Sequence, residues 1–215
     1  MSTLQYSNLV DNNWSVPREL YRSEEALTSP ALGTDRVGNK LLIWTEQRHS
    51  KTVLKFMARP KDKPWQSPTL FTDSGHENYS PTILFDMHNR AWVFWASTRK
   101  NLSDIYLSIR TGQVWSKAEP IHDENEVPDI TPTTDILENG DVRVTWTSYN
   151  MERGDYGLVE RVYSIQNDEA DELLLTDTLQ FDLITLPDFL PTNSVSVIHF
   201  PANKMIQSRP VSGSL

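Results

Sequence analysis

The sequence lacks cysteine and any long apolar run, and each absence excludes a class of protein. Without cysteine, the chain of 215 residues has no disulfide scaffold, no catalytic thiolate, no iron–sulfur cluster and no zinc site built on thiolates. No stretch approaches the roughly 20 apolar residues that a membrane-spanning helix needs. With 38% hydrophobic residues, the chain is nevertheless long enough to bury a core as a single domain.

Positive charge is also in short supply. Lysine and arginine number 20 against 29 acidic residues, which leaves a formal net charge of −9. A surface of this sign repels phosphate backbones, so nucleic acid is not an expected partner. No lysine or arginine occurs from Val162 to Asn203, and the acidic run inside this stretch is expected to be a solvated loop. A docking patch for a basic partner is the alternative interpretation.

Tryptophan is the residue that organises the sequence, because six of the seven recur at a fixed interval. Trp44, Trp95 and Trp146 are spaced 51 and 51 residues apart. Trp14, Trp65 and Trp115 are spaced 51 and 50 apart, and the pairs Ser29-Pro30, Ser80-Pro81 and Thr131-Pro132 follow the same 51-residue register. A repeat of this length indicates an array of similar structural units.

Each unit contains four short segments with the composition of β-strands. In the second unit these are PTILFD, RAWVFWAST, DIYLSIR and WSKAEPI, which are rich in β-branched and aromatic residues and are separated by polar turns. The corresponding segments are PALGT, KLLIWTE, TVLKFMAR and WQSPTLF in the first unit, and TPTTDIL, DVRVTWTS, GLVERVYSI and a weaker ELLLTD in the third. The first 165 residues show no sustained helical period. Four strands in about 51 residues are typical of a β-propeller blade, so we predict an all-β fold.

The two ends of the chain predict how the propeller closes. The segments TLQYSNLV and NWSVPREL correspond to the third and fourth strands of a blade, and QFDLITL and SVSVIHF to its first two strands. The predicted division is therefore 1–28 closing strands, 29–79, 80–130 and 131–178 as three clear blades, and 179–215 as a degenerate last blade or tail. Closure within one chain would remove exposed strand edges. Completion of the ring by a protein partner or a second copy is the alternative.

The segment from Ser108 to Trp115 carries a resemblance to a known family. Its Ser-x-x-x-Gly-x-x-Trp pattern resembles the Asp-box of the sialidases (neuraminidase or BNR repeats), with Arg110 in place of the aspartate. Ser7 and Trp14 keep the same separation. The resemblance covers Leu4 to about Ile165 and implies a sialidase-like propeller. It favours an extracellular or periplasmic location, although the N-terminal residues show no signal peptide and the compartment stays open.

The resemblance also predicts what the repeated tryptophans do. In the family the Asp-box is a structural hairpin away from the catalytic face, so the six repeated indoles are expected to wedge between blades rather than to stack on a ligand. Arg110 removes a carboxylate that would hold the turn, which predicts looser hairpins held chiefly by tryptophan. The seventh indole, Trp92, is expected to face the neighbouring sheet.

The candidate binding residues lie in the loops of one face, where propellers usually hold ligands. Each clear blade contributes one arginine from the loop between its second and third strands, and three arginines around one axis could clamp a carboxylate or sulfate. Sialidases hold the sugar carboxylate with such a triad. Exposed arginines with local carboxylate partners are the alternative. The candidate ligand-binding residues are Arg48, Arg99, Arg153, His76 and His122.

Catalytic candidates are fewer. Tyr79 and Glu77 resemble a nucleophile and base pair, and Asp123 is a further carboxylate on the same face. Tyr79 is equally well read as a packing residue. The family's leading carboxylate ligand, an arginine two residues before a blade's first proline, is replaced here by Thr28, Tyr79 and Ile130, so the family's catalytic set does not carry over.

These observations favour a non-catalytic, glycan- or protein-binding propeller. The alternatives are a sialidase-type glycoside hydrolase and a structural subunit whose ring is completed by a partner or a second copy. No cofactor and no metal is predicted. The group that comes closest to a hard-cation site is the acidic link containing Asp123, Glu124, Glu126 and Asp129, and an acidic loop without metal is favoured there.

Overall fold

The computed structural model describes residues 1–72, 75–123 and 125–165, together with the backbone of a short strand at 198–199. Every regular element in this part of the chain is a β-strand, which confirms the all-β prediction, and none of the described residues belongs to a helix that could cross a membrane. The strands are β1 (Ser2–Tyr6), β2 (Leu9–Val10), β3 (Asn13–Trp14), β4 (Arg18–Ser23), β5 (Leu27–Thr34), β6 (Lys40–Arg48), β7 (Lys51–Arg59), β8 (Thr69–Leu70), β9 (Glu77–Phe85), β10 (Ala91–Arg99), β11 (Leu102–Thr111), β12 (Val114–Trp115), β13 (Glu119–Pro120), β14 (Asp129–Ile136), β15 (Val142–Asn150), β16 (Asp155–Tyr163) and β17 (Ile198–His199).

The chain divides into two compact units, of which the smaller comprises Met1–Leu27 and Ile184–Leu215. Its sheet has the order β17-β1-β4, with Gln5 opposite His199 in the antiparallel pair of β1 and β17. Strands β2 and β3 form a separate hairpin, at whose end Trp14 is 46% exposed. The buried wedge predicted for the repeated tryptophans therefore does not hold for Trp14. The predicted strand QFDLITL lies outside the described residues.

The larger unit, Thr28–Leu183, contains three antiparallel sheets that follow one another along the chain. Sheet I has the order β5-β6-β7-β8, sheet II has β9-β10-β11-β12 with β13 also on β11, and sheet III has β14-β15-β16. Strand β9 packs against β6 and β7, and β14 packs against β9, β10 and β11. The first strand of each following sheet thus covers the face of the sheet before it. The predicted fourth strand of sheet III, ELLLTD, lies outside the described residues.

The fourth strands are much shorter than the sequence predicts. WQSPTLF contributes only the two residues of β8, and WSKAEPI is split into β12 and β13. In sheet I, Pro68 removes a backbone donor from the ladder. In sheet II, Ser116 interrupts the ladder because its Oγ accepts the backbone N–H of Ile109 at 2.9 Å. The edge strands are therefore held by a few local bonds.

The Ser-Pro pair of sheet II and the Thr-Pro pair of sheet III form β-bulges inside their strands. The first strands of the three sheets begin two to four residues earlier than predicted. In sheet II, Tyr79 pairs with Ala96 and Thr82 pairs with Phe94, so Ser80 and Pro81 together stand opposite Trp95. Thr131 and Pro132 interrupt β14 in the same way. Ser80 has φ 50° and Thr131 has φ 55°, in the left-handed region. Because proline is tolerated at bulges, the pair marks this geometry.

Two of the repeated tryptophans, Trp95 of β10 and Trp146 of β15, fill the spaces between sheets, as predicted. Trp95 is buried in a cluster with Ile43 and Leu54 of sheet I, and Trp146 in a cluster with Trp92 and Ile105 of sheet II. Each indole therefore points back to the preceding sheet. Trp92 breaks the register and faces the other way, towards sheet III, where its ring lies 5.3 Å from that of Tyr163. This confirms the expectation that Trp92 faces a neighbouring sheet.

Candidate functional site

The ends of several strands meet at one edge of the larger unit, and this edge carries most of the predicted site residues. Glu77 at the start of β9 pairs with Thr98 near the end of β10, so the link before β9 and the turn after β10 lie side by side. Asp129 at the start of β14 pairs with Ser148 in β15, which repeats the arrangement in sheet III. We call this side the loop edge.

A cavity of about 270 Å³ opens between sheets I and II, and we name it the Arg99 cavity. Two of the predicted ligand residues, His76 and Arg99, lie in its wall. The remaining lining side chains are aromatic, small polar or small apolar: Phe56, Leu70, Phe71, Thr72, Asn78, Trp95, Ser108, Trp115, Ser116 and Ala118. Among the described residues, no carboxylate lines this cavity.

The aromatic wall of the Arg99 cavity is a connected set of edge-to-face contacts. The Phe71 ring lies 5.2 Å from that of Trp95 and 4.7 Å from that of Trp115. Phe56 adds a contact of 5.5 Å with Trp115. Such contacts fix the ring planes, so the wall is rigid before any ligand arrives.

The polar wall is fixed in the same way. Asn78 is 3% exposed, accepts the indole N–H of Trp95 at 3.0 Å through Oδ1, and donates from Nδ2 to the carbonyl of His76 at 3.1 Å. The guanidinium of Arg99 lies 4.1 Å from the centre of the Tyr106 ring, which is a cation–π contact. No described carboxylate pairs with Arg99, so its positive charge is not compensated by any of the described acidic residues.

The three predicted arginines are placed differently from one another. Arg48 is the exposed last residue of β6, in the register position of Arg99 but outside the Arg99 cavity. Arg153 lies in the turn before β16, where its Nε is 3.2 Å from a carboxylate oxygen of Asp155. The clamp of three arginines therefore stays a prediction, with Arg99 as the member that lines a cavity.

Among the described residues, Tyr79 and Glu77 make no hydrogen bond with each other, and their catalytic role stays a prediction. The hydroxyl of Tyr79 donates to Ser103 Oγ, and its ring packs on the buried cluster between sheets II and III. Glu77 is exposed at the start of β9. Asp123 is exposed, and its backbone carbonyl lies 2.8 Å from His122 Nδ1. The contacts of Tyr79 therefore support the interpretation that it is a packing residue.

A second group of polar residues lies at the loop edge between sheets II and III. One ligand atom each of Asp104, His122 and Asp129 lies within 4.8 Å of the others, and we name these residues the Asp104–His122–Asp129 cluster. Asp129 is 1% exposed, and its Oδ2 is 3.1 Å from His122 Nε2. The imidazole stacks on Trp146 with a centroid distance of 5.7 Å.

Asp129 is the most heavily bonded member of this cluster. Its Oδ1 accepts the indole N–H of Trp146 at 2.9 Å, and its Oδ2 accepts from Asn125 Nδ2 at 2.8 Å. Burial acts to raise the pKa of Asp129, but hydrogen bonds from His122, Ser148 and Asn125 outweigh it and lower the pKa. Burial likewise acts to lower the pKa of His122, and its contacts with Asp129 and the Asp123 carbonyl raise it overall.

Sequence reasoning missed Asp104 and Asn78, and it placed Asp129 in a different group. Of the predicted acidic link, Asp129 alone belongs to the cluster, Asp123 and Glu126 are exposed, and Glu124 lies outside the described residues. The signal that could have found Asn78 and Asp129 is their position, since each stands 17 residues before its tryptophan. Asp104 carries no such signal, because its contacts depend on how sheet III packs on sheet II.

The structural comparisons give the fold. The chain is similar to an endo-arabinase from Bacteroides thetaiotaomicron VPI-5482, with a TM-score of 0.58, 13% identity, and coverage of 89% of this chain and 78% of that one. It is also similar to an α-L-arabinanase from Penicillium chrysogenum complexed with arabinobiose (TM-score 0.54, 12% identity, 74% of this chain and 54% of that one). A protein of unknown function from Dyadobacter fermentans DSM 18053 gives a TM-score of 0.54 at 17% identity, with 71% of this chain and 52% of that one covered.

These similarities agree with the predicted all-β propeller fold. The chain spans about half the length of two of the three similar structures. No protein-family model matches the chain, and no curated protein sequence matches it. Similar structures with sequence identities below 20% indicate a shared fold only. An argument about function therefore rests on the residues of the site.

Proposed function

We propose that this protein is a glycan-binding propeller that holds a sugar unit in the Arg99 cavity without hydrolysing it. The observation that carries the proposal is the lining of the cavity, which combines aromatic rings held by edge-to-face contacts with hydrogen-bonding groups and a guanidinium that no described carboxylate pairs with. Sugars present apolar C–H faces beside hydroxyl groups, so a lining of aromatic and polar groups suits them.

The size of the cavity supports a small ligand. Its volume of about 270 Å³ lies just below the range of about 300–1,000 Å³ typical of small-molecule sites, which favours a single terminal sugar over a longer segment of chain. Arg99 adds a preference for an acidic sugar, because a guanidinium binds a carboxylate through two parallel hydrogen bonds. One similar structure, the α-L-arabinanase, is complexed with the sugar arabinobiose, which agrees with the ligand class.

The absence of carboxylates among the described lining residues supports binding over hydrolysis. Most glycosidases place two carboxyl groups about 5–10 Å apart across the scissile bond. The predicted catalytic pair offers no substitute in this cavity, because Tyr79 faces sheet III and bonds Ser103.

A panel of acidic and neutral glycans tests the proposal on the full chain. We expect saturable binding of a terminal uronic or sialic acid, weakened at least about tenfold by Arg99→Ala through loss of the charged hydrogen bonds. Arg48→Ala is the matched control, because Arg48 occupies the same register position outside the cavity, and binding should be unchanged. Equal loss in both variants, or binding insensitive to Arg99, would contradict the site. Release of free sugar, abolished by Glu77→Gln, would instead establish the hydrolase.

A further inference from the structure

The interface between sheets II and III carries ionisable residues at positions where the interface between sheets I and II carries neutral ones. The repeat allows the two interfaces to be compared residue by residue. The backbone N–H of Phe71 donates to the carbonyl of Leu54 at 2.8 Å, and that of Ile121 donates to Ile105 at 2.9 Å, so the two fourth strands superpose with a 50-residue offset. On this register, His122 takes the place of Thr72.

The other two members of the cluster have equally neutral counterparts. Asp104 precedes Ile105 as Val53 precedes Leu54, and Val53 is fully buried. Asp129 holds the Trp146 indole as Asn78 holds that of Trp95. Three equivalent positions are thus valine, threonine and asparagine between sheets I and II, and aspartate, histidine and aspartate between sheets II and III. The packing of the sheets does not require charge there, since the first interface forms without it.

We propose that the Asp104–His122–Asp129 cluster is a divalent transition-metal site, with zinc as the ion that best fits it. One imidazole nitrogen and two carboxylate oxygens within 4.8 Å of one another are a recognised ligand set for such ions. Two aspartates balance the charge of a divalent ion when the histidine is neutral.

The orientation of His122 supports a ligand role. A carbonyl oxygen only accepts hydrogen bonds, so the 2.8 Å contact with the Asp123 carbonyl requires that Nδ1 carry a hydrogen. In the neutral ring this leaves the lone pair on Nε2, which faces Asp129 Oδ2 within the cluster. Metal-binding histidines characteristically donate their other N–H to a backbone carbonyl in this way.

The surroundings match those of a metal ligand. The His122 side chain is 10% exposed and its Nε2 is 3.1 Å from Asp129 Oδ2, close to the separation of two ligands on one zinc ion. Asn125 and Trp146 donate to Asp129 and fix its carboxylate. A bound ion would connect three elements: β11 of sheet II through Asp104, the link that follows β13 through His122, and β14 of sheet III through Asp129.

Zinc binding to the full chain, stripped with chelator and titrated with ZnCl₂ by calorimetry and elemental analysis, tests the site. We expect one zinc per chain and a raised midpoint of thermal unfolding, because an ion bound only to the folded state stabilises it. Asp129→Asn and His122→Thr restore the residues of the first interface and should each weaken binding at least about 100-fold.

His49→Asn is the matched control, because His49 lies in an exposed turn, and zinc affinity should not change. Circular dichroism of the zinc-free variants separates lost binding from lost folding, and Asp129→Asn keeps an acceptor for Trp146 as Asn78 does for Trp95. Zinc binding below one equivalent, or undiminished in a folded Asp129→Asn variant, would overturn the site. Binding of CaCl₂ in preference to ZnCl₂ would overturn the histidine ligand.

Discussion

Buried aspartates hold the turns and indoles of the larger unit, and Asp86 shows how. Its side chain is fully buried, and its Oδ1 accepts the backbone N–H groups of His88 and Arg90 at 2.9 Å each. Its Oδ2 accepts from Arg90 Nε at 2.6 Å and from the Trp92 indole at 2.9 Å. One carboxylate therefore closes the β9–β10 turn and fixes the tryptophan that faces sheet III.

Asp86→Ala should lower the free energy of unfolding by about 3–5 kcal/mol, because it leaves buried donors and a partly buried guanidinium without their acceptor. Asp135→Ala is the matched control: Asp135 also pairs with an arginine, Arg143, but its side chain is 49% exposed. Asp135→Ala should lower the free energy of unfolding by at most about 1 kcal/mol. Urea unfolding followed by far-ultraviolet circular dichroism measures both. Similar losses in the two variants would show that burial does not control the effect.

The bulges decide which side chains reach the indoles. One extra residue at Ser80-Pro81 reverses the alternation of β9, so Asn78 lies on the same side as Ile83, towards sheet I, while Tyr79 lies with Leu84, towards sheet III. The sequence register identified the Ser-Pro pairs, but their consequence is a matter of strand geometry. The bulge thus turns Tyr79, a candidate that the sequence offered for its closeness to Glu77, towards sheet III.

Sheets I and II lie close together at Gly33 of β5. A Cβ atom there would lie 3.0 Å from Phe85 Cε2 and 3.2 Å from Ile83 Cγ1, both on β9. Gly33→Ala should therefore force the two sheets apart and cost about 1–3 kcal/mol of stability.

Gly157→Ala provides the comparison for Gly33→Ala. Its added Cβ would meet Arg153 Nη2 at 3.0 Å, the flexible end of a side chain that can move aside. Its effect should stay within about 0.5 kcal/mol. The thermal unfolding midpoints of both variants, measured in one buffer, provide the test. A Gly33→Ala variant as stable as the parent would show that β5 and β9 can move apart without loss of stability.

At the scale of the whole molecule, charge governs behaviour in solution. The net charge of −9 keeps molecules apart at neutral pH, and the calculated isoelectric point of about 5.0 is where this repulsion vanishes. Whether a partner or a second copy completes the sheets stays a prediction, and it is best examined at the pH where repulsion is strong.

Turbidity of the protein between pH 4 and 7.5 should be greatest near pH 5. Replacing the exposed Glu138 and Glu152 by lysine should move this maximum to higher pH, because each substitution raises the net charge by two. Glu138→Gln with Glu152→Gln should give a smaller shift in the same direction. A maximum that does not move with charge would indicate that unfolding, and not colloidal attraction, controls it.

The sequence by itself determined the strand content, the repeat and the roles of Trp95 and Trp146, because these follow from local alternation and a regular spacing. It also identified His76, Arg99 and His122 as polar residues at one edge, since loop position can be read from strand order. Tertiary structure decided the rest. Asp104 meets His122 and Asp129 only because β14 packs on β11, and a contact between residues distant in sequence leaves no periodic trace.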